Sequence, residues 1–123
     1  KVELNDKGWE LGSCQVELKE EAKNSPLFNS LETPLYAYQS HQDIVTDLPE
    51  NSILLAENAM GIQSFSMKEI FYGVQFHPEF TKEVMEKYLE IRYKKGIIKS
   101  KPVVQDAKDS YKIIINFIEK IVK

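Results

Sequence analysis

A chain of 123 residues is long enough for one domain with a real core and too short for two. Hydrophobic content of 42% and charged content of 28% are ordinary for a soluble globular protein, and a net charge of −3 gives no electrostatic reason to expect nucleic acid or an anionic membrane as partner. No apolar run approaches the roughly 18 residues of a membrane span. The single cysteine, Cys14, excludes an intrachain disulfide framework and agrees with a reducing compartment, hence a cytoplasmic protein.

The chain opens on Lys1-Val2-Glu3-Leu4, without an initiator methionine or an apolar leader, so the simplest expectation is a piece of a longer protein. Asn5-Asp6-Lys7-Gly8 is turn chemistry. Gln15-Val16-Glu17-Leu18-Lys19 alternates polar and apolar, which predicts a half-buried strand, with Gly12-Ser13 before it as a bulge or break. Glu20 to Asn24 reads as a charged loop, and Ser25-Pro26-Leu27-Phe28 as a proline turn whose apolar pair docks on the core. Leu35-Tyr36-Ala37-Tyr38 is rich in aromatic strand formers and stops at the polar cluster Gln39-Ser40-His41-Gln42-Asp43. Strands are predicted again at Ser52 to Ala56, at Ile62 to Met67 and, after a tight Lys68-Glu69 connection, at Ile70 to Phe76. The short turns between them argue for consecutive antiparallel or mixed pairing.

Helical signals take over after Glu79. Thr81 is a predicted N-cap, and Val84, Tyr88 and Ile91 share one face, predicted to turn to the core, before Gly96 caps the end. Ile97 to Gln105 is an extended connector. Asp109 or Ser110 then caps a last helix whose broad apolar face comprises Ile113, Ile114, Phe117, Ile118 and Ile121.

Phe71-Tyr72-Gly73-Val74-Gln75-Phe76-His77-Pro78-Glu79-Phe80 carries the chemistry. A buried strand ends in an imidazole and a carboxylate two residues apart, which in extended backbone point to the same side. Pro78 fixes its own φ and biases His77 to an extended geometry. A carboxylate beside an imidazole selects its tautomer and stabilises the imidazolium, the task of the third member of a catalytic triad. Taken alone, the tripeptide reads first as a surface His-Pro-Glu turn.

Its context is more specific. Tyr72 to Glu79 resembles the end of the catalytic domain of class I glutamine amidotransferases. Gly8-Trp9-Glu10-Leu11-Gly12 resembles a stretch in the branch near the amidotransferase domain of GMP synthases. Ser40-His41-Gln42-Asp43 with Leu48-Pro49 resembles that family's serine-histidine-x-aspartate segment before a leucine-proline turn. The resemblance implies the C-terminal portion of a flavodoxin-like α/β domain, a mixed sheet with flanking helices, whose first βα units precede this chain. It implies His77 as general base, Glu79 as its orienting acid, and Ser40, Gln42 and Asp43 as residues gripping the α-amino and α-carboxylate groups of glutamine.

The family's nucleophilic cysteine lies on a glycine-flanked strand-to-helix elbow, and no such elbow occurs in this sequence. Cys14, in Gly12-Ser13-Cys14-Gln15-Val16, reads as a small packed or edge residue. The expectation is therefore a glutaminase whose His and Glu lie here and whose cysteine lies in the N-terminal half of the domain. This chain alone should not hydrolyse glutamine, and should be stable only with that half present. Ammonia would pass to a synthetase subunit or domain. A γ-glutamyl peptidase-type hydrolase and a non-catalytic relative remain alternatives. No metal-ligand spacing is visible, glutamine hydrolysis needs no cofactor, and His41 is read as shaping the loop by hydrogen-bonding backbone.

Overall fold

A computed structural model describes residues 1–68 and 70–122. Among the described residues there are seven strands: β1 (Val2–Leu4), β2 (Glu10–Leu18), β3 (Leu35–His41), β4 (Asp43–Val45), β5 (Ser52–Asn58), β6 (Gly61–Met67) and β7 (Phe71–Val74). Helices α1 (Lys82–Lys94) and α2 (Lys112–Asn116) follow, with a π-helical stretch Phe117–Val122 closing the chain. The main sheet has the order β3-β2-β5-β6-β7, and β1 pairs with β4 in a separate two-stranded ribbon. Each of these pairs is antiparallel, where the short turns left antiparallel and mixed pairing both open. The Lys68-Glu69 connection lies partly outside the described residues; Lys68 itself takes a positive φ of 53°.

The main sheet is curled rather than flat. β3 and β6 are separated in it by β2 and β5, yet the side chains of Gln39 and Gln63 meet at 2.8 Å. The chain after β7 laces the two strands together: the amide of Gln75 donates to the carbonyl of Gln63 (2.8 Å), and the amide of His77 to the carbonyl of Tyr38 (2.9 Å). Gly73 makes the approach possible. It pairs with Phe65 across β6/β7, and a Cβ there would overlap the Phe65 ring.

Apolar packing flanks this curl in two clusters. Val16, Leu27, Phe28, Leu35, Leu55 and Ile113 form part of the first, and the docked Leu27-Phe28 pair sits on a short 3-10 turn as its proline predicts. Tyr38, Met85, Leu89, Val104 and Ala107 form the second, between the sheet and α1.

The predicted helix faces need correction. Thr81 caps α1, its hydroxyl accepting from the amide of Val84 at 3.2 Å, and Gly96 ends it at φ +74°. The face of α1 that enters the core, however, is Met85 and Leu89, while Val84, Tyr88 and Ile91 are exposed. Tyr88 is drawn outward because Phe80 stacks on its ring and the Arg92 guanidinium lies 5.3 Å from its centroid. In the last helix Ile113 is buried and Ile121 packs against the core, but Ile114, Phe117 and Ile118 are exposed. The change from α to π spacing at Phe117 breaks the face that a uniform 3.6-residue period would align. Its N-cap is Tyr111 with no side-chain bond; Ser110 instead donates to the Ala107 carbonyl, and Asp109 pairs with Lys112. Gly12-Ser13, predicted as a bulge or break, is absorbed within β2 in continuous register with Gln39 and Tyr38, Gly12 taking φ +97°.

Candidate functional site

His77 is held at its backbone and on its ring. Its amide is tied to β3, and the Phe80 amide returns to the His77 carbonyl at 3.2 Å, folding the His77–Phe80 segment into a turn. Glu79 Oε2 lies 3.0 Å from Nδ1. The face of the imidazole stacks on Phe80, with centroids 4.2 Å apart and planes 11° from parallel. The stack continues from Phe80 to Tyr88 at 5.2 Å, and Arg92 lies between Tyr88 and Trp9, 5.3 and 5.0 Å from their rings. Aromatic and cation–π contacts of this kind contribute about 0.5–1.5 kcal/mol each, enough to select one ring orientation. Sequence spacing anticipates the His77–Glu79 pairing; it does not show the stack, which needs α1 to dock.

The second predicted segment, Ser40 to Asp43, starts on β3 two residues beyond the Tyr38 carbonyl that receives the His77 amide. Ser40 and Gln42 are half-buried and Asp43 is exposed at the start of β4. The bend at Gln42 is held by the Asn5 amide, which donates to the Gln42 carbonyl at 2.8 Å. The fold thus hangs the predicted substrate segment and the predicted base on one strand end.

His41 sits on the opposite face of β3 from Ser40, in a buried polar cluster that sequence reasoning missed. Its Nδ1 lies 2.9 Å from the Asp43 carbonyl, the backbone contact expected of it, and its Nε2 lies 2.8 Å from Glu10 Oε1 and 3.1 Å from Gln39 Oε1. Glu10 also accepts from Asn58 Nδ2 at 2.6 Å and Gln63 Nε2 at 3.0 Å. A signal for this cluster exists in sequence, since Glu10, Gln39 and Gln63 are polar residues within otherwise strand-forming runs. Nothing local says that three strands turn them toward one another.

Glu10 also forms part of the wall of a cleft of about 570 Å³ with Trp9, Leu11, Cys14, Asn58 and Met60. Burial, and then the Glu10 carboxylate, push the Cys14 thiol up to about 12. Cys14 is a half-buried free thiol on β2 and stays protonated near neutral pH. Among the described residues no cluster of His, Cys, Asp and Glu could hold a metal ion, and no helix is long and apolar enough to cross a membrane.

The His–Glu pair lies on a turn three residues beyond β7, which is a partly exposed strand rather than the buried one expected, while the curled antiparallel sheet with its helices is of the expected α/β class. The chain belongs to the glutamine amidotransferase class-I family, whose model matches residues 4–95. Gamma-glutamyl peptidase 3 of Arabidopsis thaliana is 34% identical over 83 residues, covering 64% of this chain and 33% of that protein. The glutamine-hydrolyzing GMP synthase of Caldicellulosiruptor saccharolyticus is 40% identical over 73 residues, 54% of this chain and 14% of the relative. A glutamine-hydrolyzing GMP synthase subunit of Methanococcus maripaludis is 40% identical over 72 residues, 57% of this chain and 36% of the relative. The fold is shared with the crystal structure of a glutamine amidotransferase from Thermotoga maritima (TM-score 0.75, 23% identity, all of this chain and 55% of the other). A glutamine amidotransferase from Methylobacillus flagellatus shares it too (TM-score 0.67, 13% identity, 94% of this chain and 50% of the other). The chain therefore spans about half the length of these solved structures and about a third or less of these curated relatives.

Proposed function

We propose that this chain is the C-terminal, His–Glu part of a single amidotransferase domain, and that the full-length protein hydrolyses the side-chain amide of glutamine. The observation that carries this reading is the 3.0 Å contact between His77 Nδ1 and Glu79 Oε2 on the turn after β7, within the family-matched residues. A carboxylate on Nδ1 holds the proton there and leaves the Nε2 lone pair as the base. A cysteine thiol supplied by the rest of the domain gives its proton to Nε2 and attacks the amide carbon. The C–N bond then breaks as Nε2 returns that proton to the departing ammonia. Water, deprotonated by Nε2, attacks the thioester, and glutamate leaves as the thiol is restored. Cys14 is unsuited to the nucleophile's task, because its pKa is raised where a nucleophile needs it lowered.

Ser40, Gln42 and Asp43 bind the α-amino and α-carboxylate groups of glutamine, beside the strand that anchors His77. Ammonia passes to a synthetase subunit or domain, the arrangement suggested by relatives that are GMP synthases. No cofactor or metal takes part in this sequence of steps.

The identity to Gamma-glutamyl peptidase 3 favours a second reading, hydrolysis of γ-glutamyl bonds other than the amide of glutamine. Assay of the full-length protein with glutamine and with γ-glutamyl peptides separates the two. Equimolar glutamate and ammonia from glutamine support the first reading. Release of glutamate from γ-glutamyl peptides without turnover of glutamine overturns it.

A further inference from the structure

We propose that Glu10 is a positioning residue that sets both arms of the site from beneath: the Ser40–Asp43 segment through His41, and the His77 segment through Gln63. The inference rests on the glutamine-hydrolysis reading above. Glu10 and His41 have side chains only 4% and 9% exposed, so the carboxylate is costly to bury unless its oxygens are fully occupied. They are: Oε1 faces His41 Nε2 and accepts from Gln63 Nε2, and Oε2 accepts from Asn58 Nδ2. Cys14, which Glu10 helps to keep protonated, is the remaining neighbour on its own strand.

Two paths lead outward from that carboxylate. In the first, His41 bridges Glu10 to the Asp43 carbonyl across the Gln42 bend. Both ring nitrogens face oxygens, an arrangement that a ring with hydrogens on both sides satisfies as donor twice. The bend that carries Ser40, Gln42 and Asp43 is thereby fixed by its own histidine, and the histidine by Glu10. In the second, Gln63 donates to Glu10 while its amide oxygen accepts from Gln39 Nε2 at 2.8 Å. The backbone carbonyl of the same Gln63 receives the Gln75 amide, two residues before His77, and Gln39 adjoins Tyr38, whose carbonyl receives the His77 amide. One buried charge thus ties the β3 end, the β6 strand and the segment laced between them. A small displacement of that lacing moves Nε2 of His77 relative to the amide it must serve.

Single-arm variants of the full-length protein test this. Gln63→Met removes the amide but keeps the volume, and should lower kcat for glutamine roughly tenfold with KM little changed, because it loosens the base. His41→Asn should raise KM roughly tenfold with kcat largely kept, because it loosens the substrate bend. Glu10→Gln should do both, and combining it with either single-arm variant should add little in that arm. Equal falls in kcat and rises in KM across all three variants, additive in combination and tracking lost stability, would make the cluster a purely structural core and overturn the proposal. Should Glu10→Gln fail to fold, the split between the two single-arm variants still decides the matter. Imidazole NMR signals give a readout that needs no turnover: Gln63→Met should shift those of His77, and unchanged His77 signals overturn the proposal. If the wild-type protein does not hydrolyse glutamine, yet Gln63→Met shifts the His77 signals, the functional reading fails and the positioning network stands.

Discussion

The protein has two histidines, and each faces a glutamate: His77 with Glu79 at 3.0 Å and His41 with Glu10 at 2.8 Å. The chemistry of the two pairs is the same and their surroundings are opposite. His77 and Glu79 are 33% and 57% exposed, on the turn from His77 to Phe80, with one ring face covered by Phe80. His41 and Glu10 lie on paired strands with little water and with amides filling the remaining positions. A partly exposed imidazole whose Nδ1 is occupied keeps a nitrogen for a substrate; a buried one with both nitrogens on protein oxygens has none to offer. On the proposed function, burial and partner count, rather than the residue pair, suit one for chemistry and the other for architecture.

The largest effect expected on either side of this comparison is kinetic. His77→Ala should lower kcat for glutamine roughly 10²–10⁴-fold. It should change stability by only about 1–2 kcal/mol, because a partly exposed hydrogen bond and one ring stack are all that is lost. Steady-state assay alongside denaturant unfolding checks both halves. An unfolding change as large as the next one would remove the distinction between the pairs.

Glu10→Ala should instead cost about 3 kcal/mol of stability, since it strands His41, Asn58 and Gln63 without their acceptor. The shift in denaturant midpoint of the full-length protein, at unchanged slope, measures it.

The aromatic stack comes next. Phe80→Ala should destabilise by about 1 kcal/mol and remove the ring-current shift of the His77 imidazole protons, which Phe80→Tyr should keep. Proton NMR of the imidazoles reads this directly, and a shift that survives Phe80→Ala breaks the claim that Phe80 orients the ring.

Cys14 gives the smallest effect. The folded state retains its thiol proton up to about pH 12, whereas the unfolded thiol releases it near 9.0. The unfolded chain then binds fewer protons, so stability falls as pH rises through that window. Cys14→Ser should flatten this slope in unfolding curves across that window. Alkylation of Cys14 at mildly alkaline pH should also be slower than that of an unperturbed cysteine.

Much of the chain is legible from its amino acids where a local rule decides the matter. The Asn5 turn is closed by its own side chain, which accepts from the Lys7 amide at 2.9 Å. Thr81 caps α1 and Gly96 ends it, because capping depends on neighbours within one turn. The helix faces differ from expectation because periodicity shows that residues share a side without showing which side meets the core. Val84, Tyr88 and Ile91 do share one, but Met85 and Leu89 fill the space against Tyr38 and Val104. The β1–β4 ribbon is not foreseen, since three-residue strands carry too little pattern to register.

That His77 and Glu79 meet follows from the order of the amino acids alone. The proline between them leaves the segment few conformations, and the turn it takes in place of the expected extended backbone, closed by the Phe80 amide on the His77 carbonyl, brings the two side chains together. The strand-rich middle and the family to which the motifs belong follow from the same source. Three features required the folded chain: the sheet curls until Gln39 reaches Gln63, the segment carrying His77 laces the two strands, and Glu10, 31 residues from His41 in sequence, lies beneath both arms of the site. Those contacts come from strand order and sheet twist, which arise between segments distant in the chain and leave no mark in any one of them.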